Sequence, residues 1–136
     1  MDSEIRHYNQ RFLTGCVIFV SLAALIIGGL LWASFQKNRQ LTRYPDSLLV
    51  ASHSNYRDFP LSYKWDDTYL TDAPFREVYN WYSVTFDMGA EARATGGCIW
   101  LESQQQQWLV QRNLGVSLCD TPNGRMIFVS QTTAYR

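Results

Sequence analysis

The sequence predicts an α+β protein in which an N-terminal transmembrane α-helix precedes a small domain with one helix packed on an antiparallel sheet, in the order β-β-α-β-β-β. Three observations predict it. A charge-free stretch near the start is long enough for a membrane span. A later segment has apolar residues at helical spacing. In the remainder, apolar and polar residues alternate within short runs that turn residues separate. With 46% hydrophobic and 18% charged residues among 136, the composition excludes a disordered chain.

The membrane helix is predicted from residues 12–36, which contain no charged side chain and are nearly all apolar. At about 1.5 Å per residue, such a helix crosses a hydrocarbon core of about 30 Å. A cleavable signal peptide has an apolar core of only about 7–15 residues. We therefore predict a polar tail over 1–11, a span over 12–35 in the lipid bilayer, and a basic connector over 36–43.

Aromatic side chains flank the predicted span. Tyr8 and Phe12 stand at one end, and Trp32 and Phe35 at the other. Amphipathic and aromatic rings settle at the two membrane–water interfaces, so these four residues are the expected interface anchors.

Small residues recur at helical spacing within the span. Ser21, Ala24 and Gly28 form one stripe, and Gly29 and Ala33 form a second pair. Small residues four apart let another helix approach closely. We predict that this face packs against other transmembrane helices or subunits of a membrane complex.

Basic residues give little information on orientation, because two precede the span and three follow it. The short tail before the span and the long segment after it, residues 44–136, are typical of an uncleaved signal anchor. We therefore expect an extracytoplasmic domain. The chain has no Asn-x-Ser/Thr acceptor, which is compatible with a bacterial cell membrane.

The globular domain, residues 44–136, is predicted to begin with a strand over 47–53 and a second over 61–65. A helix follows over 74–88, with Asp72 as its cap and Gly89 at its end, because apolar residues recur there at intervals of three and four.

The rest of the domain is predicted to be β-structure. Segments 97–103 and 107–112 flank a hairpin tip placed at the glutamine run 104–107, and 114–119 continues in the same style. The last strand follows a turn at 121–124. That strand, over 125–133, is apolar on both faces, which predicts that it is central in the sheet or covered on both sides.

Catalytic constellations are scarce. A nucleophilic set of Cys119, His53 and Asp120 can be written down, but no recognised local signature surrounds any member. The acids at 66, 67 and 72 do not have the spacing of a calcium loop. We predict no catalytic residue, no cofactor and no metal site.

A disulfide between Cys98 and Cys119 is left open. A hairpin tip at 104–107 places Cys98 opposite Gln111 or Arg112, and a tip at 122–123 places Cys119 opposite Met126. In a simple meander the two cysteines are then not neighbours, so a bridge would need a different strand order.

Charge and aromatic content indicate the class of function. The formal net charge is 0, the sum of +3 over residues 1–43 and −3 over residues 44–136, which argues against a nucleic-acid partner. Trp81 falls on the polar side of the predicted helix and is a candidate partner contact. We expect a non-catalytic accessory or assembly subunit of a larger membrane complex, of which an energy-transducing complex is one candidate. The alternative is a membrane-anchored extracytoplasmic module that binds a peptide or small ligand.

Overall fold

A computed structural model describes the backbone of residues 2–89 and 93–136, and the side chains of residues 13–89 and 94–136. The α+β class is confirmed, with one long apolar helix, a second helix and a six-stranded antiparallel sheet. The elements are α1 (Asp2–Leu41), β1 (Leu48–Asn55), β2 (Ser62–Thr71), α2 (Phe75–Phe86), β3 (Arg93–Thr95), β4 (Cys98–Gln107), β5 (Val110–Thr121) and β6 (Gly124–Tyr135).

The chain divides into two compact units, residues 1–42 and 43–136. Within α1, the segment Leu13–Leu41 is long and apolar enough to cross a membrane, and none of its apolar stretch is buried. This is consistent with a single-pass membrane anchor.

The predicted basic connector is helical for most of its length. Residues 36–41 continue α1 because Gln, Lys, Arg and Leu are good helix formers and no Gly or Pro interrupts them. Thr42 follows the helix, and its hydroxyl donates a hydrogen bond to the Arg39 carbonyl at 2.8 Å. The basic connector over 36–43 therefore begins as a continuation of α1.

The sheet of the second unit has the order β1-β2-β6-β5-β4-β3, and every neighbouring pair is antiparallel. β6 lies between β2 and β5, so the prediction of a central last strand is confirmed. We call the end of the sheet that holds the start of β1 the proximal end, since the chain enters the domain there, and the opposite end the distal end.

α2 forms where its spacing predicts, with different caps. The helix begins after Pro74, whose φ of −57° suits a helix start, and no side chain caps it, so the predicted Asp72 cap was wrong. It ends at Phe86 because Asp87 takes a left-handed conformation with φ of 52°, two residues before the predicted stop at Gly89.

α2 packs on one face of the sheet, the inner face, and the core lies between them. Val78 and Tyr82 of α2 are 1% and 0% exposed. The sheet supplies apolar residues that alternate along each strand, and burying each contributes about 1.5–3 kcal/mol. The fully buried members from the sheet are Leu101, Val116, Leu118, Ile127 and Val129.

The β4–β5 hairpin differs from its prediction. The glutamine run belongs to β4, and the two-residue turn is Trp108–Leu109, between the paired residues Gln107 and Val110. β5 then continues without a break to Thr121. This later turn shifts the register, so that Cys98 lies directly opposite Cys119 and the two form a disulfide within an ordinary hairpin. The predicted separation of the two cysteines was wrong because the hairpin tip was expected at 104–107, before the actual turn.

Candidate interaction surface

The outer face of the sheet, opposite α2, carries a row of apolar groups that crosses five strands at the proximal end. Because the strands are in register, the members of the row are direct neighbours from β1 to β4. In order across the sheet they are Leu48, Leu70, Met126, Cys119 and Cys98. Leu48 is 66% exposed, and the others are half-buried.

A second row lies two residues further along the strands. Thr68, Phe128, Ser117 and Trp100 are neighbours in register. Phe128 and Trp100 are each 40% exposed although neither lies on an edge strand. Their exposure shows that no described element of residues 43–136 covers these two side chains.

Gly115 determines how Trp100 sits in the second row. A Cβ placed on Gly115 would come within 2.6 Å of the Trp100 ring, far closer than van der Waals contact. Gly115 therefore lets the indole lie flat on the neighbouring strand, and its wide surface becomes part of the outer face.

The two rows form a surface that we call the outer apolar patch, defined by Leu48, Leu70, Met126, Phe128, Trp100 and the Cys98–Cys119 disulfide. With strands about 4.8 Å apart, the patch is about 19 Å wide from β1 to β4. The disulfide closes one side, where the Ser117 hydroxyl lies 3.8 Å from the Cys119 sulfur.

The distal half of the same face is polar. Lys64 and Asp66 form an ion pair at 3.3 Å there, and the adjacent positions of β5 and β6 hold Asn113, Ser130 and Thr132. A sheet face that meets water carries polar residues of this kind. The outer apolar patch does not follow that rule, which makes it the candidate interaction surface of the domain.

The predicted nucleophilic set does not converge. His53 lies on β1 and Cys119 on β5, with β2 and β6 between them, which separates the two strands by about 14 Å. The Cys119 sulfur is bonded to Cys98.

The three acids considered for a cation also point in different directions. Asp66 is on the outer face with Lys64, while Asp67 is buried on the inner face and accepts a hydrogen bond from the Tyr69 hydroxyl at 3.0 Å. Asp72 is exposed before α2. Within the described ranges, no group of three or more His, Cys, Asp or Glu residues could hold a metal ion.

Trp81 lies half-buried within an aromatic cluster of its own domain. Its ring is 5.5 Å from that of Tyr44, 4.7 Å from that of Tyr82 and 5.7 Å from that of Phe86, each in an edge-to-face arrangement. Burial of Tyr82 raises the pKa of its hydroxyl far above the usual 10. These ring contacts hold the segment that leads into β1 against α2. A contact of Trp81 with a partner stays a prediction.

A shallow depression of about 430 Å³ lies beside the turn between β3 and β4. Phe75 is the one aromatic residue in its lining, with Ile99 and Asp120 among the others. It does not have the convergent aromatic lining that a small-ligand pocket of this domain would need.

The predicted packing residues of the span are all exposed on α1, and a Cβ at Gly28 or Gly29 would meet nothing within 4 Å. They are Ser21, Ala24, Gly28, Gly29 and Ala33. Among the predicted interface anchors, Trp32 is 63% exposed and Phe35 is half-buried, whereas the side chains of Tyr8 and Phe12 lie outside the described residues.

Comparison with protein-family models, with characterised proteins and with solved structures finds no match to this chain. The functional argument therefore rests on the geometry of the chain itself. The sequence did not predict the outer apolar patch. Phe128, in an apolar strand, and Trp100 were its signals, but only the register of the strands shows that they lie in one row.

Proposed function

We propose that this protein is a non-catalytic, single-span accessory subunit of a larger membrane complex, and that its domain docks on a neighbouring subunit through the outer apolar patch. The observation that carries the proposal is the uncovered pair of apolar rows, with Phe128 and Trp100 each 40% exposed on interior strands.

Several properties favour a protein as the partner of the patch. Interface cores are enriched in Trp, Phe and Met and depleted in charge, and the patch combines Trp100, Phe128 and Met126 without a charged residue. The patch is also broad, because it lies on five adjacent strands. The exposed small residues of α1 offer a second contact, to a transmembrane helix of the same complex.

The disulfide supports an extracytoplasmic position for the domain. Disulfides persist in oxidising compartments and are rare in the cytosol. The Cys98–Cys119 bridge therefore favours an orientation in which the short segment before the predicted span, residues 1–11, is cytoplasmic. A bacterial cell membrane with this orientation completes the proposal.

The alternative function, a module that binds a peptide or small ligand, is less well supported. It requires a concave pocket lined by aromatic residues. The depression beside β3 and β4 has one aromatic residue, and the large exposed rings lie elsewhere.

Native size after gentle detergent extraction from intact membranes tests the proposal. The wild-type chain should migrate in a species far larger than its own 15.8 kDa. Phe128→Glu should release it as a small species, because a charge in the patch would be buried without a partner on docking. Thr132→Glu is the matched control, on the same strand and face but in the polar half, and should leave the large species intact. A wild-type chain that migrates alone contradicts the proposal.

A further inference from the structure

A second exposed apolar surface lies at the distal end of the domain, away from the outer apolar patch. Three chain segments contribute to it: the β1–β2 connection, the β4–β5 turn and the end of β6. The side chains are Tyr56, Phe59, Leu61, Trp108, Leu109 and Tyr135, between 43% and 93% exposed. We call these six residues the distal tip.

Backbone hydrogen bonds hold the three segments together. The Tyr135 N–H donates to the Leu61 carbonyl at 2.8 Å, and the Arg136 N–H donates to the Leu109 carbonyl at 2.9 Å. The end of β6 therefore joins the β1–β2 connection to the β4–β5 turn. The distal tip is a single structured surface and not three separate loops.

Trp108 is the most exposed member and has an unusual conformation. It is 93% exposed, and its φ of 45° lies in the left-handed region. A two-residue hairpin turn of this kind favours Gly, Asn or Asp, which accept a positive φ at low cost. Neither the turn nor the core of the domain accounts for a tryptophan at this position, whereas an external contact does.

The charge around the distal tip is opposite to that of the domain. Residues 55–62, 107–112 and 134–136 contain three Arg and one Asp, a net charge of +2, whereas residues 44–136 together carry −3. Arg57, Arg112 and Arg136 are all exposed. An apolar protrusion with an arginine rim is complementary to a surface that is anionic outside and apolar beneath.

We propose that the distal tip inserts into the headgroup region of an anionic phospholipid bilayer, with Trp108 and Leu109 entering the interface and the arginines contacting the phosphates. Trp and Tyr settle at this depth, and basic residues are attracted to anionic lipids. This inference uses other residues than the proposed docking through the outer apolar patch and stands independently of it.

The composition of the distal tip favours a bilayer over a second protein. Three of its six apolar side chains are Trp or Tyr, the residues that settle at a membrane–water interface, and exposed arginines surround them. A lipid interface also requires no matching pocket. The inference takes from the proposed function only that the chain is anchored in a membrane.

Fluorescence of a probe at the distal tip in reconstituted vesicles tests the inference. The full-length chain with Cys16→Ser and Leu109→Cys would carry an environment-sensitive label at residue 109, in vesicles that contain a nitroxide-labelled phospholipid. The matched control carries the label through Asn123→Cys, in the turn at the proximal end of the sheet. Circular dichroism and the intact disulfide would establish that both variants are folded.

Adding phosphatidylglycerol to phosphatidylcholine vesicles should raise the quenching of the label at residue 109 and should leave the quenching at residue 123 unchanged. Trp108→Ala should reduce the quenching about threefold or more. Raising the salt from about 0.1 M to about 1 M should also reduce it, because the Debye length falls from about 10 Å to about 3 Å.

Three results would overturn the inference. The first is an equal rise in quenching at residues 109 and 123 when phosphatidylglycerol is added to the vesicles. The second is quenching of the same size in vesicles of phosphatidylcholine alone, which would remove the role of the arginine rim. The third is shielding of residue 109 in native membranes but not in protein-free lipid, which would identify a protein as the partner of the distal tip.

Discussion

Tyr82 connects the core to the segment that precedes β1. Its side chain is fully buried, and its ring packs against Trp81 and Phe86. Helical spacing in the sequence predicted that this residue faces the core. The contact of Trp81 with Tyr44 could not be predicted, because it joins the segment before β1 to α2 across residues that share no periodic pattern.

Tyr82→Phe should reduce the loss of stability at high pH. Burial holds the pKa of Tyr82 far above that of an unfolded tyrosine, so the neutral phenol stabilises the fold fully below about pH 10 and progressively less above it. Because the buried phenol stays neutral over this range while an unfolded tyrosine ionises near its usual pKa of about 10, this one group costs about 1.4 kcal/mol between pH 9 and pH 11. Urea unfolding of the full chain at both pH values measures the difference.

In Tyr82→Phe, the part of the stability loss that comes from Tyr82 should disappear. Burial also raises the pKa of Tyr63, so the part that comes from Tyr63 should remain. Tyr56→Phe is the control at an exposed ring and should keep the wild-type loss. An unchanged loss in Tyr82→Phe would show that this hydroxyl is not buried as described.

The β4–β5 hairpin shows where sequence reasoning fails at the scale of an element. Glutamines 104–107 look like a turn because they are polar, yet they pair with residues 110–113 of β5. The actual turn, Trp108–Leu109, has neither Gly nor Asn and gives no turn signal. A turn at 104–107 would separate Cys98 from Cys119, whereas the two are direct neighbours in the sheet.

Removing both bridge cysteines, Cys98→Ala with Cys119→Ala, should lower the free energy of unfolding by about 2–4 kcal/mol. The bridge closes a segment with a sequence separation of 21, for which loss of unfolded-chain entropy predicts about 3 kcal/mol. Urea unfolding under non-reducing conditions measures the change. Cys16→Ala, outside the domain, is the control, and a double variant as stable as this control would contradict the bridge.

At the scale of the whole molecule, the sequence predicted the apolar helix, the α+β class and the central position of β6. It could not predict the outer apolar patch, because β2 pairs with β6 across α2 and three further strands. Only this non-local pairing brings Leu70 beside Met126 and Thr68 beside Phe128. The distal tip was missed for the same reason, since it joins three segments that are distant in the sequence.

The proposed orientation predicts labelling of the domain from outside the cell. In a Cys16→Ser background, Asn123→Cys places one reactive thiol in the exposed turn between β5 and β6. A membrane-impermeant maleimide should label it in intact cells, after permeabilisation of any outer membrane. Labelling that requires disruption of the membrane containing α1 would reverse the orientation.

The central claim is that the outer apolar patch docks on another protein of the membrane. Photo-crosslinking in intact membranes tests it most directly, with a photoreactive amino acid in place of Phe128 and, as the control, of Thr132. The account predicts one discrete heavier adduct from position 128, formed with a membrane protein, and none from position 132. Absence of any protein adduct at 128, or the same adducts from both positions, would contradict it.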